Sequence, residues 1–232
     1  MSLLNSSRKH PILCYVTDRR SLSDAPASEV RELLLKKIAA AAAAGVDWIQ
    51  IREKDFFGKD CAAVTREALR RAANTGAAGG AAARILVNDR LDVALTEDAG
   101  GVHLGEESLP VSEARRLLNT TARPRNFLIG VSCHALESAH RAERDGADYI
   151  FFGPVFATPS KAANAQPQGI ARLAEVCRSV SIPVLAIGGI NLENVATCLA
   201  AGAAGIAAIR LFQGAADLPQ ISRALRAPMK KN

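Results

Sequence analysis

Residues 44–51 read Ala-Gly-Val-Asp-Trp-Ile-Gln-Ile, and this stretch contains the unit from which the fold is built. An alanine-rich helical segment stops at Gly45, and an apolar run follows at once. The same junction recurs at Asp145-Gly146-Ala147-Asp148 and at Ala201-Gly202-Ala203-Ala204. Glycine is the usual residue where the chain turns left-handed at the end of a helix. The repeat therefore predicts helices that lead directly into strands.

Eight short apolar runs follow this rhythm, and helical segments lie between them. The runs are 12–16, 46–51, 84–88, 101–104, 127–132, 148–153, 183–189 and 205–210. Several are apolar almost throughout, as expected of parallel strands covered by helices. Eight rounds of strand and helix favour a single closed (β/α)8 barrel of the TIM type. An open doubly wound sheet is the alternative, but it would need a glycine fingerprint, and Tyr15 to Arg19 has none.

The length of the chain suits one barrel domain. Its 232 residues are expected to form a single unit over 1–232, with a core at about 11–226 and flexible tails at both ends. The helix before Gly45 is predicted over 28–44, with Ser28 as its N-cap.

Composition excludes several classes of protein. Hydrophobic residues make up 49% and charged residues 22%, which is typical of a packed globule rather than a disordered chain. The net charge of +6 suits anionic small molecules, whereas aromatic residues at 4% leave few rings to stack nucleic-acid bases. The five cysteines include no Cys-x-x-Cys pair. With no visible signal peptide or membrane span, we expect a cytoplasmic protein without a membrane partner.

Polar side chains gather where the first strands of the predicted barrel end, which is where barrel enzymes carry their active sites. The second strand ends in Gln50, Arg52 and Lys54, and strand alternation places these three on one face as an anion clamp. The third strand ends in Asn88 and Asp89. The Asp89 carboxylate could hold Mg²⁺ or cap the helix that follows.

The fourth and fifth strands end in acids and histidines. Glu106 and Glu107 follow the fourth strand, and paired acids suit a metal or an amine. We interpret His103 as a histidine packed in the barrel rather than a ligand or base. His134 follows the fifth strand and is a candidate acid or base.

The last three strands end in a long loop and in glycines. The loop after the sixth strand contains Lys161, and long loops in compact domains are usually functional. Gly188 and Gly189 follow the seventh strand, and a helix is expected to start near Gln213 after the eighth. Barrels commonly bind phosphate at these two positions. Together the residues predict a barrel enzyme with two anion sites, hence a group transfer between phosphorylated partners.

The combination of motifs resembles the thiamine phosphate synthase family over Tyr15 to Arg210. The motifs are Gln50-Ile51-Arg52-Glu53-Lys54, Val87-Asn88-Asp89-Arg90, Gly101-Val102-His103-Leu104-Gly105, Gly130-Val131-Ser132, the run from Gly153 to Lys161, and Ala186-Ile187-Gly188-Gly189-Ile190. The resemblance implies a (β/α)8 barrel that joins hydroxymethylpyrimidine pyrophosphate to hydroxyethylthiazole phosphate, releases pyrophosphate and uses Mg²⁺. It implies small phosphorylated substrates as partners, no nucleic acid, and leaves a homo-oligomer open.

Roles for individual residues follow from the resemblance. Asp89 would bind Mg²⁺, and Lys161 would reach the pyrophosphate. The implied catalytic residues are Arg52, Ser132, Thr158 and Lys161, and the implied substrate-binding residues are Gln50, Lys54, Asn88, Gly189, Ile209 and Arg210.

Two positions depart from the family pattern. Ser108 stands where the family has the aspartate that serves as its second Mg²⁺ ligand, and a hydroxyl is a poorer ligand for a hard cation. Either Glu106 or Glu107 substitutes for this aspartate, or the metal is weak or absent. Arg210 stands where the family has a small serine, and it would either strengthen phosphate binding or block the pocket.

These departures leave two other interpretations open. An aminothiazole tautomerase would share the barrel, act on one thiazole phosphate without Mg²⁺, and use a histidine at the position of His134. A non-catalytic regulator would bind a phosphorylated ligand without turnover. The anion clamp favours the synthase, because a tautomerase would not need it.

Overall fold

The structure is a computed structural model that describes residues 10–75, 82–120, 126–158 and 166–227. Eight parallel strands close into a barrel in chain order, and the last strand pairs with the first through Gly205 opposite Ile12. The predicted (β/α)8 barrel is confirmed. Lys161 and nearly all of the two predicted tails, namely residues 1–9 and 228–232, lie outside the described residues.

The strands match the predicted apolar runs closely. They are β1 (Ile12–Val16), β2 (Trp48–Ile51), β3 (Arg84–Asn88), β4 (Gly101–Leu104), β5 (Leu128–Cys133), β6 (Tyr149–Phe152), β7 (Val184–Ile187) and β8 (Gly205–Ala208).

Helices cover the outside of the barrel. They are α1 (Ala27–Ala43), α2 (Gly58–Ala73), α3 (Leu91–Thr96), α4 (Val111–Asn119), α5 (Leu136–Arg144), α6 (Gly169–Ser179), α7 (Val195–Ala200), α8 (Arg210–Gln213) and α9 (Leu218–Arg226), with a 3-10 turn at Arg19–Ser21. Within the described ranges, none of them is long and apolar enough to cross a membrane.

The repeated glycine junction has the predicted geometry. Gly45, Gly146 and Gly202 follow α1, α5 and α7 with φ of 80°, 91° and 100°. These left-handed conformations strain any residue with a Cβ atom. The glycines therefore end each helix and turn the chain into the next strand.

Two predictions about helix starts are wrong. The N-cap of α1 is Pro26, not Ser28, because the Pro26 carbonyl accepts from the N–H groups of Glu29 and Val30. The helix after β8 ends at Gln213 instead of starting there. The Gln213 side chain links the end of α8 to β1, because its Oε1 accepts a hydrogen bond from the Tyr15 hydroxyl at 2.9 Å.

The barrel interior has its own apolar cluster, separate from the layer between strands and helices. Alternate residues of the strands supply it: Ile12, Cys14, Val16, Trp48, Leu86, Leu128, Tyr149, Phe151, Leu185 and Ala207. These side chains fill the barrel up to its carboxyl end. Polar residues at that end therefore face a space with a closed apolar floor.

Candidate active site

A cavity of about 600 Å³ opens at the carboxyl ends of the strands. It brings together predicted site residues from both sides of the barrel: Arg52, Lys54, Asn88, Asp89, Ser132 and Thr158 on one side, and Gly189, Ile209 and Arg210 on the other. Glu106 and His134 also line it. Gln50 is buried beside Asn88, Ser108 contacts Asp89, and Glu107 does not line the cavity.

The end of β2 presents two cations to the cavity. Arg52 and Lys54 line it, and neither forms an ion pair with another residue in the described part of the chain. The Arg52 backbone N–H donates to Thr17 Oγ1 at 2.9 Å, and the Thr17 hydroxyl donates to Glu53 at 2.6 Å. Burial raises the pKa of Glu53, which lies on the opposite face of the strand. The alternation of side chains along the chain thus places Arg52 and Lys54 at the cavity and buries Glu53 away from them.

A row of amide side chains links β2 to β3. Gln50 Nε2 donates to Asn88 Oδ1 at 2.8 Å, and Asn88 Nδ2 donates to Asp89 Oδ2 at 2.7 Å. Gln50 Oε1 is buried and has no hydrogen-bond partner among the described residues. A buried acceptor without a donor costs about 1–3 kcal/mol. This oxygen is therefore suited to a hydrogen-bond donor on a ligand.

Asp89 faces the loop after β4 instead of capping α3, whose N-cap is Arg90. Its backbone is left-handed, with φ of 59°. Its Oδ1 accepts from the Gly105 N–H at 3.0 Å and from the Ser108 hydroxyl. The Ser108 hydroxyl therefore occupies the space beside Asp89 in which the resemblance would place a second carboxylate.

The two glutamates of this loop point elsewhere. Glu106 Oε1 accepts from the backbone N–H of His134 at 3.2 Å, and Glu107 is exposed. In the described ranges, no three His, Cys, Asp or Glu side chains cluster as a metal site. Asp89 and Ser108 are oxygen-bearing side chains that contact each other at the cavity, and Glu106 adds a carboxylate to its lining.

His103 is buried in the barrel and stacks on Phe151, with ring centroids 4.0 Å apart. Burial lowers its pKa to about 3, so the imidazole is neutral. These contacts agree with a packed histidine. The sequence did not indicate, however, that Nε2 lies 3.1 Å from Ser132 Oγ in the cavity wall. That contact depends on His103 of β4, Ser132 of β5 and Tyr149 of β6, whose hydroxyl lies 3.1 Å from His103 Nδ1.

His134 lines the cavity just before α5. Its Nδ1 forms a hydrogen bond with the Gly153 carbonyl oxygen. A carbonyl oxygen can only accept, so Nδ1 carries a hydrogen.

The loops after β6 and β7 touch so closely that glycine is required. Gly188 and Gly189 have φ of 94° and 66°. A Cβ atom on Gly188 would lie 2.5 Å from Pro154, and one on Gly189 would lie 2.6 Å from the Ala157 carbonyl oxygen. Asn194 Nδ2 also donates to the Gly189 carbonyl at 2.9 Å. The backbone of this turn is therefore fixed at the edge of the cavity.

Arg210 lines the same cavity from the start of α8, two strands around the barrel from Arg52. It is exposed and makes no ion pair within the part of the chain that the structure describes. The cavity remains open with this side chain in its wall. Arg210 therefore adds a cation without filling the pocket.

Comparison with known proteins points to one family. A family profile described as thiamine monophosphate synthase matches residues 13–212. A thiamine-phosphate synthase of Methanocella arvoryzae is 46% identical over 198 residues, covering 85% of this chain and 88% of its own. A putative thiamine-phosphate synthase of Geobacter sulfurreducens is 45% identical over 194 residues, covering 84% and 86%. The solved structure of a thiamine phosphate pyrophosphorylase from Pyrococcus furiosus matches with a TM-score of 0.75 at 32% identity, covering 94% of this chain and 95% of that one.

Proposed function

The chain belongs to the thiamine monophosphate synthase family, and we propose that it joins hydroxymethylpyrimidine pyrophosphate to hydroxyethylthiazole phosphate. It is thus a transferase that releases pyrophosphate. The observation that carries this proposal is the placement of unpaired cations from two parts of the barrel in one cavity, Arg52 and Lys54 after β2 and Arg210 after β8. Two groups of cations suit two phosphorylated substrates.

The pyrimidine ring is assigned to the side of the cavity near Gln50. The unpartnered Gln50 Oε1 accepts from the exocyclic amino group of an aminopyrimidine. The Asn88 contact on Nε2 holds the Gln50 amide in the orientation that leaves Oε1 available. This placement directs the pyrophosphate of the same substrate toward Arg52 and Lys54.

The pyrophosphate leaves as the bond between its oxygen and the pyrimidine methylene breaks. The electron pair departs with the oxygen, and the electron-rich pyrimidine ring spreads the positive charge on the methylene. Arg52, Lys54 and Asn88 stabilise the departing charge in a site whose lining includes the apolar side chains Val16 and Ala207. The resemblance assigns Lys161 and Thr158 to the same group. Thr158 lines the cavity.

The thiazole phosphate is assigned to the part of the cavity formed by the loops after β7 and β8. The backbone at Gly189 and at the Ile209–Arg210 turn cradles its phosphate, and Arg210 adds a charge-assisted contact. The thiazole nitrogen attacks with its lone pair and loses no proton. The protein therefore has only to position this ring, which by itself contributes greatly to rate.

Mg²⁺ fits this site as an ion shared with the substrate. Magnesium is commonly held by one or two carboxylates together with substrate phosphate oxygens and water. Asp89 supplies one carboxylate and Ser108 a weaker hydroxyl oxygen. When bound, the ion neutralises charge on the leaving pyrophosphate.

The direct test is turnover by the purified protein. Both phosphorylated substrates are supplied with Mg²⁺, and thiamine phosphate and pyrophosphate are measured. Control reactions omit one substrate or add a chelator. We expect both products in equal amounts and a loss of rate with the chelator. Saturable binding of both ligands without product would identify a regulator instead.

A further inference from the structure

Three polar side chains form a line from the barrel interior to the cavity. The Tyr149 hydroxyl lies 3.1 Å from His103 Nδ1, and His103 Nε2 lies 3.1 Å from Ser132 Oγ. Tyr149 and His103 are 0% and 2% exposed, whereas Ser132 lines the cavity. A hydrogen-bonded path therefore connects the wall of the site to two buried rings.

The rings are held by close packing on every side. A Cβ atom on Gly130 would overlap the ring of Tyr149, so the glycine on β5 makes room for this tyrosine of β6. Trp48 packs against the other side of Tyr149, with centroids 4.7 Å apart, and Phe151 stacks on His103. Neither ring can turn without disturbing the core of the barrel.

Burial decides which nitrogen of His103 carries the hydrogen. Both rings are buried and pack against aromatic side chains, which favours the neutral form of each group. Within the described ranges, His103 Nδ1 is the one acceptor that the Tyr149 hydroxyl contacts. The opposite tautomer would leave the tyrosine hydrogen buried without an acceptor, which is unfavourable. Nδ1 therefore accepts, and the hydrogen resides on Nε2.

The position of that hydrogen fixes the role of Ser132. Nε2–H donates to Ser132 Oγ, so the serine must direct its own hydrogen elsewhere. The cavity is the open direction. A serine held in this way presents a donor to the ligand.

We propose that Tyr149 and His103 are positioning residues that hold Ser132 as a hydrogen-bond donor to the leaving pyrophosphate. The proposal rests on the function proposed above. A donor whose direction is set in advance stabilises an oxygen that gains negative charge, and it costs no reorganisation when the bond breaks. Tyr149 and His103 thus affect the rate of pyrophosphate release through the orientation of Ser132.

The first test reads the tautomer in the unmodified protein. The full chain is labelled with ¹⁵N-histidine, and the ring nitrogens of His103 are recorded by NMR. His103 is identified as the histidine whose signals disappear in the His103→Asn variant. We expect the hydrogen on Nε2. A hydrogen on Nδ1 would overturn the proposal, because Ser132 would then donate to the imidazole.

The second test is a double-mutant cycle between Tyr149→Phe and Ser132→Ala. Tyr149→Phe removes one hydroxyl, and we expect kcat to fall about tenfold, as for the loss of one preorganised hydrogen bond. In the Ser132→Ala background the same change should have almost no effect on kcat. Independent effects that multiply would mean that Tyr149 is merely structural.

Tyr15→Phe is the matched control, since Tyr15 is the other tyrosine of the chain. This substitution also removes a buried hydrogen bond, from the Tyr15 hydroxyl to Gln213. Tyr15 belongs to the layer between strands and helices, outside the barrel interior. Its effect should be the same with or without Ser132, and the His103 signals should not move. A wild-type protein that makes no thiamine phosphate would refute the proposed function. An active protein in which His103 carries its hydrogen on Nδ1 would refute only the proposed positioning of Ser132.

Discussion

The Ser108 hydroxyl donates a hydrogen bond to Oδ1 of Asp89. This contact fixes what the site offers a divalent cation, namely one carboxylate with a neutral oxygen beside it. Glu106, the acid of the loop that lines the cavity, directs an oxygen to the His134 backbone instead. A divalent cation held at Asp89 would therefore need most of its balancing charge from the substrate.

Ser108→Asp should create a stronger metal site. A second carboxylate beside Asp89 supplies the negative charge that a hydroxyl lacks, so we expect tighter Mg²⁺ binding and higher activity at low Mg²⁺. Calorimetric titration of the substrate-free protein with Mg²⁺ measures the change directly. Ser112→Asp is the control, because it adds the same charge at an exposed position in α4. Identical titrations of Ser108→Asp and wild type would mean that another residue already supplies the second acid.

Stability should depend on pH through His103. Its pKa is about 3 in the folded protein, against an ordinary value of 6.5. The unfolded chain takes up a proton below about pH 6.5 that the folded protein does not bind. The free energy of unfolding should therefore be unaffected above that pH and fall by about 1.4 kcal/mol per pH unit below it, down to about pH 3.

Urea unfolding of the wild type and of His103→Asn, between about pH 7 and pH 5, isolates this contribution. The slope of stability against pH should be smaller in the variant. Glu53, whose pKa is raised by burial, gives an opposing slope that is common to both proteins and cancels. Equal slopes would show that His103 is not buried as a neutral ring.

Gly130→Ala should destabilise the barrel. The added methyl group overlaps the Tyr149 ring, which is packed against Trp48, and overpacking of this kind costs about 1–3 kcal/mol or more. Gly58→Ala is the control, since its methyl group meets the movable end of the Arg90 side chain. Thermal unfolding of both variants should show a lower Tm for Gly130→Ala alone. An unchanged Tm in both would contradict the tight packing of this interior.

Gln50→Leu should separate binding from stability. The substitution removes a buried acceptor that has no donor among the described residues, and it also removes the bond from Nε2 to Asn88 Oδ1. The two effects oppose each other, so we expect the free energy of unfolding to change by less than about 1 kcal/mol. The KM for the pyrimidine substrate should rise about tenfold or more, because its amino group loses a partner. An unchanged KM together with unchanged stability would remove Gln50 from substrate recognition.

Much of this fold is visible in the sequence because strand alternation and helix-ending glycines are local signals. The run from Gln50 to Lys54 predicts which side chains share a face, and the cavity contains Arg52 and Lys54 as expected. Position 108 could be identified as a departure from the family on the residues alone.

The contacts that depend on several loops could not be predicted in the same way. Whether Asp89 caps α3 or faces Ser108 is decided by the path of the loop after β4. The contact of His103 with Ser132 depends on Tyr149, which in turn needs the space above Gly130. Such contacts join residues from different strands, and the spacing of residues along the chain does not predict them.

The comparison of Arg52→Ala with His134→Ala tests the central claim most directly. Thiamine phosphate formation and aminothiazole phosphate isomerisation are measured in the wild type and in both variants. In a synthase, Arg52 faces the leaving pyrophosphate, and loss of a charge-assisted contact worth about 1.5–3 kcal/mol should lower condensation at least about tenfold. His134→Ala should matter less, because the thiazole nitrogen attacks without giving up a proton. A wild type that isomerises aminothiazole phosphate but never forms thiamine phosphate, with His134→Ala inactive and Arg52→Ala unaffected, would contradict the synthase assignment.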